Sequence, residues 1–358
     1  MKIDSCIIVK NEESNIENLI KQFVEFSNEI HITDTGSTDK TIEIIENLQK
    51  EYQNLFLHHF EWCYDFAKAR NYSLTCYECN ADYQFWCDSD DELNDKLIET
   101  LKKLNNDSNI NDEVFYINYK YYETNNKLHY RTSILKVSAN LKWMDPIHEY
   151  VQVYKTTKTN YDYFDNGSLI IHHPSKSEDH IKRNLEIFLN MEKNNYKFTQ
   201  RNLYYYARAL YNNRLNSYAI HKFKECINLK IKSIYNINSV IKLFQMRAND
   251  AFEWFNKVLN IGDYRKDMIY MAGDYFFNKK QYEESRLYFM MALNCKDPKK
   301  NTGEMIFYDV NTPINIYLKL VEVEKILGNI EVAKQYNNEI LKIDPNNKKA
   351  LENKQSLN

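Results

Sequence analysis

The chain has 358 residues, enough for two domains that each bury a core of their own. Lys and Arg number 47 against 50 Asp and Glu, a net charge of −3, so no global basic field points to nucleic acid; no stretch approaches the ~20 apolar residues of a membrane-spanning helix. Seven scattered cysteines without a secretory leader read as the reduced thiols of a cytosolic protein, and Cys76 and Cys79 form a CxxC that no second pair completes into a zinc site.

In chain order, residues 3–9 are a short apolar run that predicts a strand ending in Lys10-Asn11-Glu12-Glu13. Ile16, Leu19, Ile20, Phe23 and Val24 then recur at helical spacing. Residues 29–33 predict a second strand, ending in Asp34-Thr35-Gly36-Ser37-Thr38-Asp39, residues 41–48 a helix, and residues 55–60 a third strand. Strand and helix alternating in this way predict a parallel, doubly wound sheet. Ligands on such sheets sit at the carboxyl ends of the strands. Gly36 permits a turn with positive φ, and Ser37 or Thr38 is expected to cap the helix that follows. There is no GxGxxG and no GK[ST], so the dinucleotide fold and the P-loop are set aside.

An aromatic strand, Phe85-Trp86-Cys87, then releases Asp88-Ser89-Asp90-Asp91-Glu92. Carboxylates crowded at one strand end repel each other unless a cation meets them. A divalent metal is the simplest partner, and a hard ion such as Mg2+ or Mn2+ takes oxygen ligands while leaving room for phosphates. A competing reading makes Asp90, Asp91 and Glu92 the acidic first turn of a helix over residues 93–104.

Residues 114–122 and 131–137 alternate as strands, and residues 169–174 read as a strand carrying two adjacent histidines. His172 and His173 point to opposite faces of that strand, so at most one of them joins a site. From Ser177 the strand signals vanish. Residues 181–191 predict a bridging helix, and small and aromatic residues then recur with the ~34-residue period of tetratricopeptide units. Tyr206-Ala207, Leu210, Ala219, Phe223 and Cys226 fit one unit; Ala272-Gly273, Phe276, Ser285, Phe289 and Ala292 fit another at the same internal spacing. Leu320-Val321, Glu324, Ala333 and Ile340 fit a third, residues 251–259 mark a degenerate one, and residues 299–313 read as a loop.

Four blocks in order carry a resemblance: Ser5-Cys6-Ile7-Ile8-Val9-Lys10-Asn11-Glu12-Glu13, Asp34-Thr35-Gly36-Ser37-Thr38-Asp39-Lys40-Thr41, Phe60-Glu61-Trp62-Cys63-Tyr64-Asp65-Phe66-Ala67-Lys68-Ala69-Arg70-Asn71, and the Asp88 cluster. Together, over about the first 150 residues, they resemble the family 2 glycosyltransferases, in the branch that joins a GT-A domain to tetratricopeptide-like helices. The resemblance implies an α/β GT-A nucleotide-sugar-binding domain with a mixed, mainly parallel sheet at 1–176, a bridging helix at 177–199 and an all-α tetratricopeptide-like repeat domain at 200–358.

It implies that Asp88-Ser89-Asp90 takes the place of the DxD motif, with Asp88 facing the ribose or the metal and Asp90 coordinating Mn2+ or Mg2+. Asp34 reads the base, Val9 and Glu12 flank the base and ribose, and Arg70 and Asn71 close over the nucleotide. Asp65 reads as a helix N-cap. Asp91 departs from the usual DADE pattern, which leaves the metal ligand set open, and Cys63 beside Trp62 is a further departure. The segment Leu141-Lys142-Trp143-Met144-Asp145-Pro146-Ile147-His148-Glu149-Tyr150 resembles the family's acceptor side, with Glu149 the general base, Asp145 the reserve base and His172 joining the metal.

The function so implied is inverting, metal-dependent transfer of a sugar from a nucleotide-diphosphate donor, UDP-linked, to a nucleophile on a glycan, peptide or lipid-linked sugar. The repeats would present a concave face to a homodimer mate or another protein. The alternative is a tetratricopeptide scaffold with a decayed transferase domain; the intact acidic cluster and Glu149 favour the enzyme.

Overall fold

The computed structural model describes every residue except 108, 123–127, 174–178, 263, 296–312 and 358, so the loop expected at 299–313 lies almost wholly outside the described residues. Two compact units emerge, Met1–Asn195 and Tyr196–Asn358.

The first unit contains strands β1 (Ile3–Val9), β2 (Ile30–Asp34), β3 (Leu55–His59), β4 (Tyr83–Phe85), β5 (Asp91–Leu93), β6 (Val114–Tyr121), β7 (His129–Lys136), β8 (Trp143–Met144), β9 (Tyr150–Val151), β10 (Thr159–Asn160) and β11 (Leu169–His172). Its helices are α1 (Ile16–Val24), α2 (Thr41–Gln49), α3 (Phe66–Thr75), α4 (Asp95–Asn105) and α5 (Asp179–Lys193). The expected bridging helix is α5, and it belongs to this unit.

The main sheet runs β3-β2-β1-β4-β7-β6-β11-β5, with β10 beside β6 and β8-β9 a separate pair. β3, β2, β1 and β4 are parallel to their neighbours, as are β6, β10 and β11, whereas β7 runs antiparallel to both β4 and β6. The strand order reverses between β2 and β4 around β1, the switch point at which open α/β sheets bind ligands. The register sets Val9 beside Asp34 and Ser5 beside Phe85. The loops after β1, β2 and β4 therefore open at one edge.

Burial explains why these segments take these forms. Ile16, Leu19, Ile20 and Phe23 of α1 are all buried, the outcome of their helical spacing. Phe23, Phe26 and Phe85 meet edge to face with centroids 5.5–6.1 Å apart, which anchors the strand that delivers Asp88.

Two local expectations are corrected. The acids Asp91 and Glu92 lie in β5, antiparallel to β11, and not in the first turn of a helix. α4 begins only at Asp95, capped by Asn94, whose side chain accepts from Leu97 N at 2.9 Å. Neither Ser37 nor Thr38 caps α2; its N-cap position is Lys40, without a side-chain cap, and the Asp39 carboxylate just before it accepts from Thr41 N at 3.0 Å.

The second unit is all helical: α6 (Gln200–Asn212), α7 (Asn216–Asn228), α8 (Ile234–Gln245), α9 (Ala251–Ile261), α10 (Lys266–Asn278), α11 (Tyr282–Asn294), α12 (Pro313–Ile326), α13 (Ile330–Ile343) and α14 (Lys348–Ser356). Helices pack in successive pairs, α6 on α7, α8 on α9, α10 on α11 and α12 on α13. The repeated small residues mark the close approaches. Ser285 Oγ donates to the Gly273 carbonyl at 3.0 Å, and a Cβ built on Gly273 would lie 2.6 Å from the ring of buried Phe289. Gly273→Ala gains about 1 kcal/mol of helix propensity but meets an overpacking cost of about 1–3 kcal/mol. A lower melting temperature is expected; a raised one would mean that Phe289 yields freely.

Candidate active site

The acidic loop after β4 is met by two guanidinium groups. Asp88 Oδ1 accepts from Arg70 of α3 at 2.6 Å, and Asp88 Oδ2 accepts from Arg131 of β7 at 2.6 Å. Arg70 is buried, and its Nε donates to Glu149 Oε1 at 2.7 Å. One side chain thus joins Asp88 to Glu149, residues 61 positions apart (149 − 88). Both guanidiniums lie 4.4 Å from the centre of the Trp86 ring, and Arg131 also lies 4.6 Å from that of Tyr119. The aromatic run that delivers the acids is therefore also the platform for their counter-ions. Burial alone would push the Asp88 carboxyl up, but Arg131 and then Arg70 override it and hold the group well below the usual carboxylate range.

Asp91 has its side chain fully buried. It accepts from Tyr119 Oη at 2.9 Å and from the Asp88 main-chain N–H at 2.8 Å, with His172 Nδ1 at 2.9 Å and Arg131 at 3.4 Å. Burial pushes this carboxyl up, and the His172 contact opposes it. Asp91 is the structural acid of the group: it fixes the loop and does not face outward.

Asp90 lies at the rim, 3.3 Å from His172 Nδ1. Glu12 faces the same mouth; burial pushes its carboxyl up, the hydrogen bond from Asn15 at 2.9 Å lowers it, and Asp90 pushes it up further. His173 turns the other way, to Glu92 at 2.8 Å, so the strand alternation separates the two histidines and His172 is the one that joins the cluster.

The remaining expected residues frame this centre. Val9 is buried, and its carbonyl accepts from Thr35 N at 2.9 Å and Thr35 Oγ1 at 3.0 Å. The Asp34 carboxylate accepts from Gly36 N at 2.9 Å and Ser37 N at 3.1 Å, closing its own turn, with Gly36 at φ +104° where only glycine sits without strain. Asn71 accepts from Trp143 N and donates to Trp143 O, both at 2.9 Å, which fastens β8 to α3.

The loop between β8 and β9 is strained. Asp145, which is buried, and His148 hold φ of +69° and +53°, while the Pro146 carbonyl between them accepts from Phe66 N at 2.8 Å. Left-handed geometry at two non-glycine residues, held in place by the start of α3, presents Glu149 to Arg70. Glu149 lines a cavity of 390 Å³ together with Trp86, Tyr130, Arg131, Trp143 and Tyr150.

Two cations escaped the sequence reading. Arg131 sits in no motif; it lies on β7, which pairs with β4, the strand that leads into the acidic run. Arg183 of α5 lies over Phe66 at 5.0 Å, within electrostatic reach of Glu149, Asp88 and Asp90.

Donor atoms of Asp88, Asp90, Asp91 and His172 lie within 4.8 Å of one another. Both Asp88 oxygens are held by arginines and Asp91 is saturated, so Asp90 and His172 are the two best placed to hold a cation. The Asp90 carboxylate is an oxygen donor of the kind Mn2+ and Mg2+ take, whereas the His172 imidazole is a donor that Mg2+ seldom accepts and has to give up its proton to ligate. In the metal-free protein, burial lowers the His172 pKa, but hydrogen bonds to Asp90 and Asp91 outweigh it and raise it to about 10. A raised folded-state pKa stabilises fully below the unfolded value of about 6.5. That stabilisation is lost as pH climbs through about 10. Thermal melts of metal-free protein should therefore decline across that window, and His172→Gln should flatten the decline. Identical profiles would remove the charged histidine from the cluster.

Residues 5–172 match the family Glycosyl transferase family 2. None of the curated proteins matches the chain. Among solved structures, S. aureus TarS 1–349 in complex with UDP is 16% identical and covers 76% of this chain and 81% of that one, at a TM-score of 0.38. The same protein in complex with UDP-GlcNAc is 14% identical, covers 86% and 99%, and has a TM-score of 0.39. MamA 41-end from Desulfovibrio magneticus RS-1 is 14% identical and covers 48% of this chain and 87% of that one, with a TM-score of 0.36. With the block order and the Asp88 loop at the switch point, the family match identifies residues 5–172 as a glycosyl transferase family 2 domain.

Proposed function

We propose that the chain transfers a sugar from a nucleoside diphosphate donor, with uridine as the base, to an acceptor nucleophile, with inversion at the anomeric carbon. The observation that carries this reading is the Arg70 bridge, which holds a donor-side acid, Asp88, and an acceptor-side acid, Glu149, on one guanidinium.

Val9, Glu12 and Asp34 border the nucleoside, with Asn71 supporting the wall. Asp90, with His172 once deprotonated, would hold Mn2+ or Mg2+, and such an ion would supply charge neutralisation for the leaving diphosphate. Arg183 adds a further cation beside that group. Glu149 takes the proton of the acceptor hydroxyl. The acceptor oxygen bonds to the anomeric carbon as the carbon–oxygen bond to the diphosphate breaks, its electron pair leaving with the diphosphate. One displacement leaves no covalent intermediate, so the configuration inverts. Arg70 orients Glu149 for this step, and Asp145 is the reserve base. The acceptor is a glycan, a peptide or a lipid-linked sugar.

A panel of nucleotide sugars, assayed for donor hydrolysis and transfer with Mn2+, tests the reading. Wild type should turn over at least one UDP-sugar. Asp90→Ala should lose the metal dependence while staying folded, because Arg70, Arg131 and His172 still compensate the other acids. Undiminished metal-dependent turnover in Asp90→Ala would remove the metal assignment, and a product of retained configuration would refute the single displacement.

A further inference from the structure

At the amino ends of β1 and β2, the edge away from the candidate active site, lies a second group of donors. Asp4 is wholly buried, His31 is 2% exposed, and Glu29 stands just before β2. The parallel register that pairs Ser5 with Ile30 brings them together. One donor atom from each of Asp4, Glu29 and His31 lies within 4.8 Å of the other two.

The neighbours orient these atoms. Asp4 Oδ1 accepts from Asn28 Nδ2 at 3.0 Å and Glu29 N at 3.1 Å, which fixes the carboxylate. Its Oδ2 faces Tyr77 Oη at 3.1 Å and Cys79 Sγ at 3.6 Å. His31 Nδ1 is 3.0 Å from His58 Nε2, and His31 Nε2 is 3.1 Å from Glu29 Oε2. The ring is clamped by Tyr77, stacked at 3.4 Å between centroids. A metal-ligating histidine holds one ring nitrogen on an outer partner, as His31 Nδ1 is held by His58, and turns the other toward the ion. In a tetrahedral zinc site the ligand–ligand edges are about 3.3–3.5 Å, close to the 3.1 Å between His31 and Glu29, whereas Cys79 Sγ stands 3.6 Å from Asp4 and outside the group of donors within 4.8 Å, so it has to turn in.

We propose that Asp4, Glu29 and His31, with Cys79 turning in as the fourth donor, bind one zinc-class divalent cation. Imidazole, carboxylates and a thiolate form a borderline-soft set suited to Zn2+, unlike the harder pair Asp90 and His172. On binding, the Cys79 thiol proton passes to water and a metal–sulfur bond replaces its hydrogen bond to Asp4. The cation then ties the chain that follows α3 to the sheet. The CxxC contributes one cysteine, and the partners come from the strands.

The test strips the full-length chain with a chelator and titrates it with Co2+, then with Zn2+. Wild type and Asp90→Ala should each bind one equivalent of Co2+ with a thiolate-to-cobalt charge-transfer band that Zn2+ abolishes. Cys79→Ser should lose that band. Glu29→Gln, at a partly exposed position, should weaken binding by at least the 10- to 100-fold that loss of an outer-shell partner costs. Absence of both the band and stoichiometric zinc in wild type would overturn the site. A band that survives Cys79→Ser would remove the thiol, and loss of binding in Asp90→Ala would move the metal to the other edge. Because Asp90→Ala is the arm that disables the proposed transferase metal, failure here and failure there are distinguishable.

Discussion

Glu149→Gln should cut sugar transfer by about 10²- to 10⁴-fold, the usual worth of a positioned general base. Glutamine keeps the side-chain length and an oxygen that can still accept from Arg70 Nε, a contact of 2.7 Å in the native chain. What it loses is the ability to take a proton. Donor affinity should hardly change, because Asp90, His172 and the nucleoside-facing residues are untouched. The effect should therefore fall on turnover, measured as initial rates at saturating donor with donor Kd determined in parallel. An active variant would shift the role to Asp145, which sits four residues earlier in the same strained loop. A matched loss of donor affinity would instead make Glu149 a support for Arg70.

Arg131→Ala should be the most destabilising single change at the site. Arg131 holds Asp88 at 2.6 Å and Asp91 at 3.4 Å. Removing it leaves a fully buried Asp91 with only Tyr119, His172 and a main-chain N–H, and Asp88 with Arg70 alone. Breaking one partner out of a buried ionic group costs about 3–5 kcal/mol, because the remaining charge stays desolvated. Urea unfolding at neutral pH measures it. The Asp88 carboxyl is held low in the folded chain, so its contribution is present above the unfolded value of about 3.9 and fades as pH falls below it. The gap between wild type and Arg131→Ala should narrow in acid. A cost near zero at neutral pH would mean that His172 compensates the loop by itself.

Much of this was legible from residues alone, and the reasons are local. The spacing of Ile16, Leu19, Ile20 and Phe23 marked a buried helix face because a 3.6-residue period leaves one stripe for the core. The loops at Glu12, Asp34 and Asp88 converged because parallel strands put their carboxyl ends on one edge. The alternation of His172 and His173 separated their roles because side chains alternate across a strand. The repeat spacing around Gly273 and Ser285 announced a helix pair because small residues recur where backbones approach.

What stayed hidden was long-range pairing. The acidic run looked as if it needed a metal, yet Arg70 and Arg131 neutralise much of it, one from α3 and one from β7. No local pattern links Arg131 to Asp88, since the contact depends on which strand lies beside β4. The acids also read as a helix start, but the pairing of β5 with β11 takes them into the sheet. The donors at Asp4, Glu29 and His31 were invisible for the same reason: only the β1–β2 register places them together.

Whether residues 5–172 bind and use a nucleotide sugar, as proposed, is read most directly from the melting temperature of the full chain with UDP and Mn2+. At a hundredfold excess over Kd, ligand linkage predicts about 3 kcal/mol of stabilisation, a shift that should appear only when both are present and should vanish in Asp90→Ala. No shift with UDP or any other nucleoside diphosphate, at millimolar ligand and with the metal supplied, would contradict the account and favour a helical-repeat scaffold carrying a decayed transferase domain.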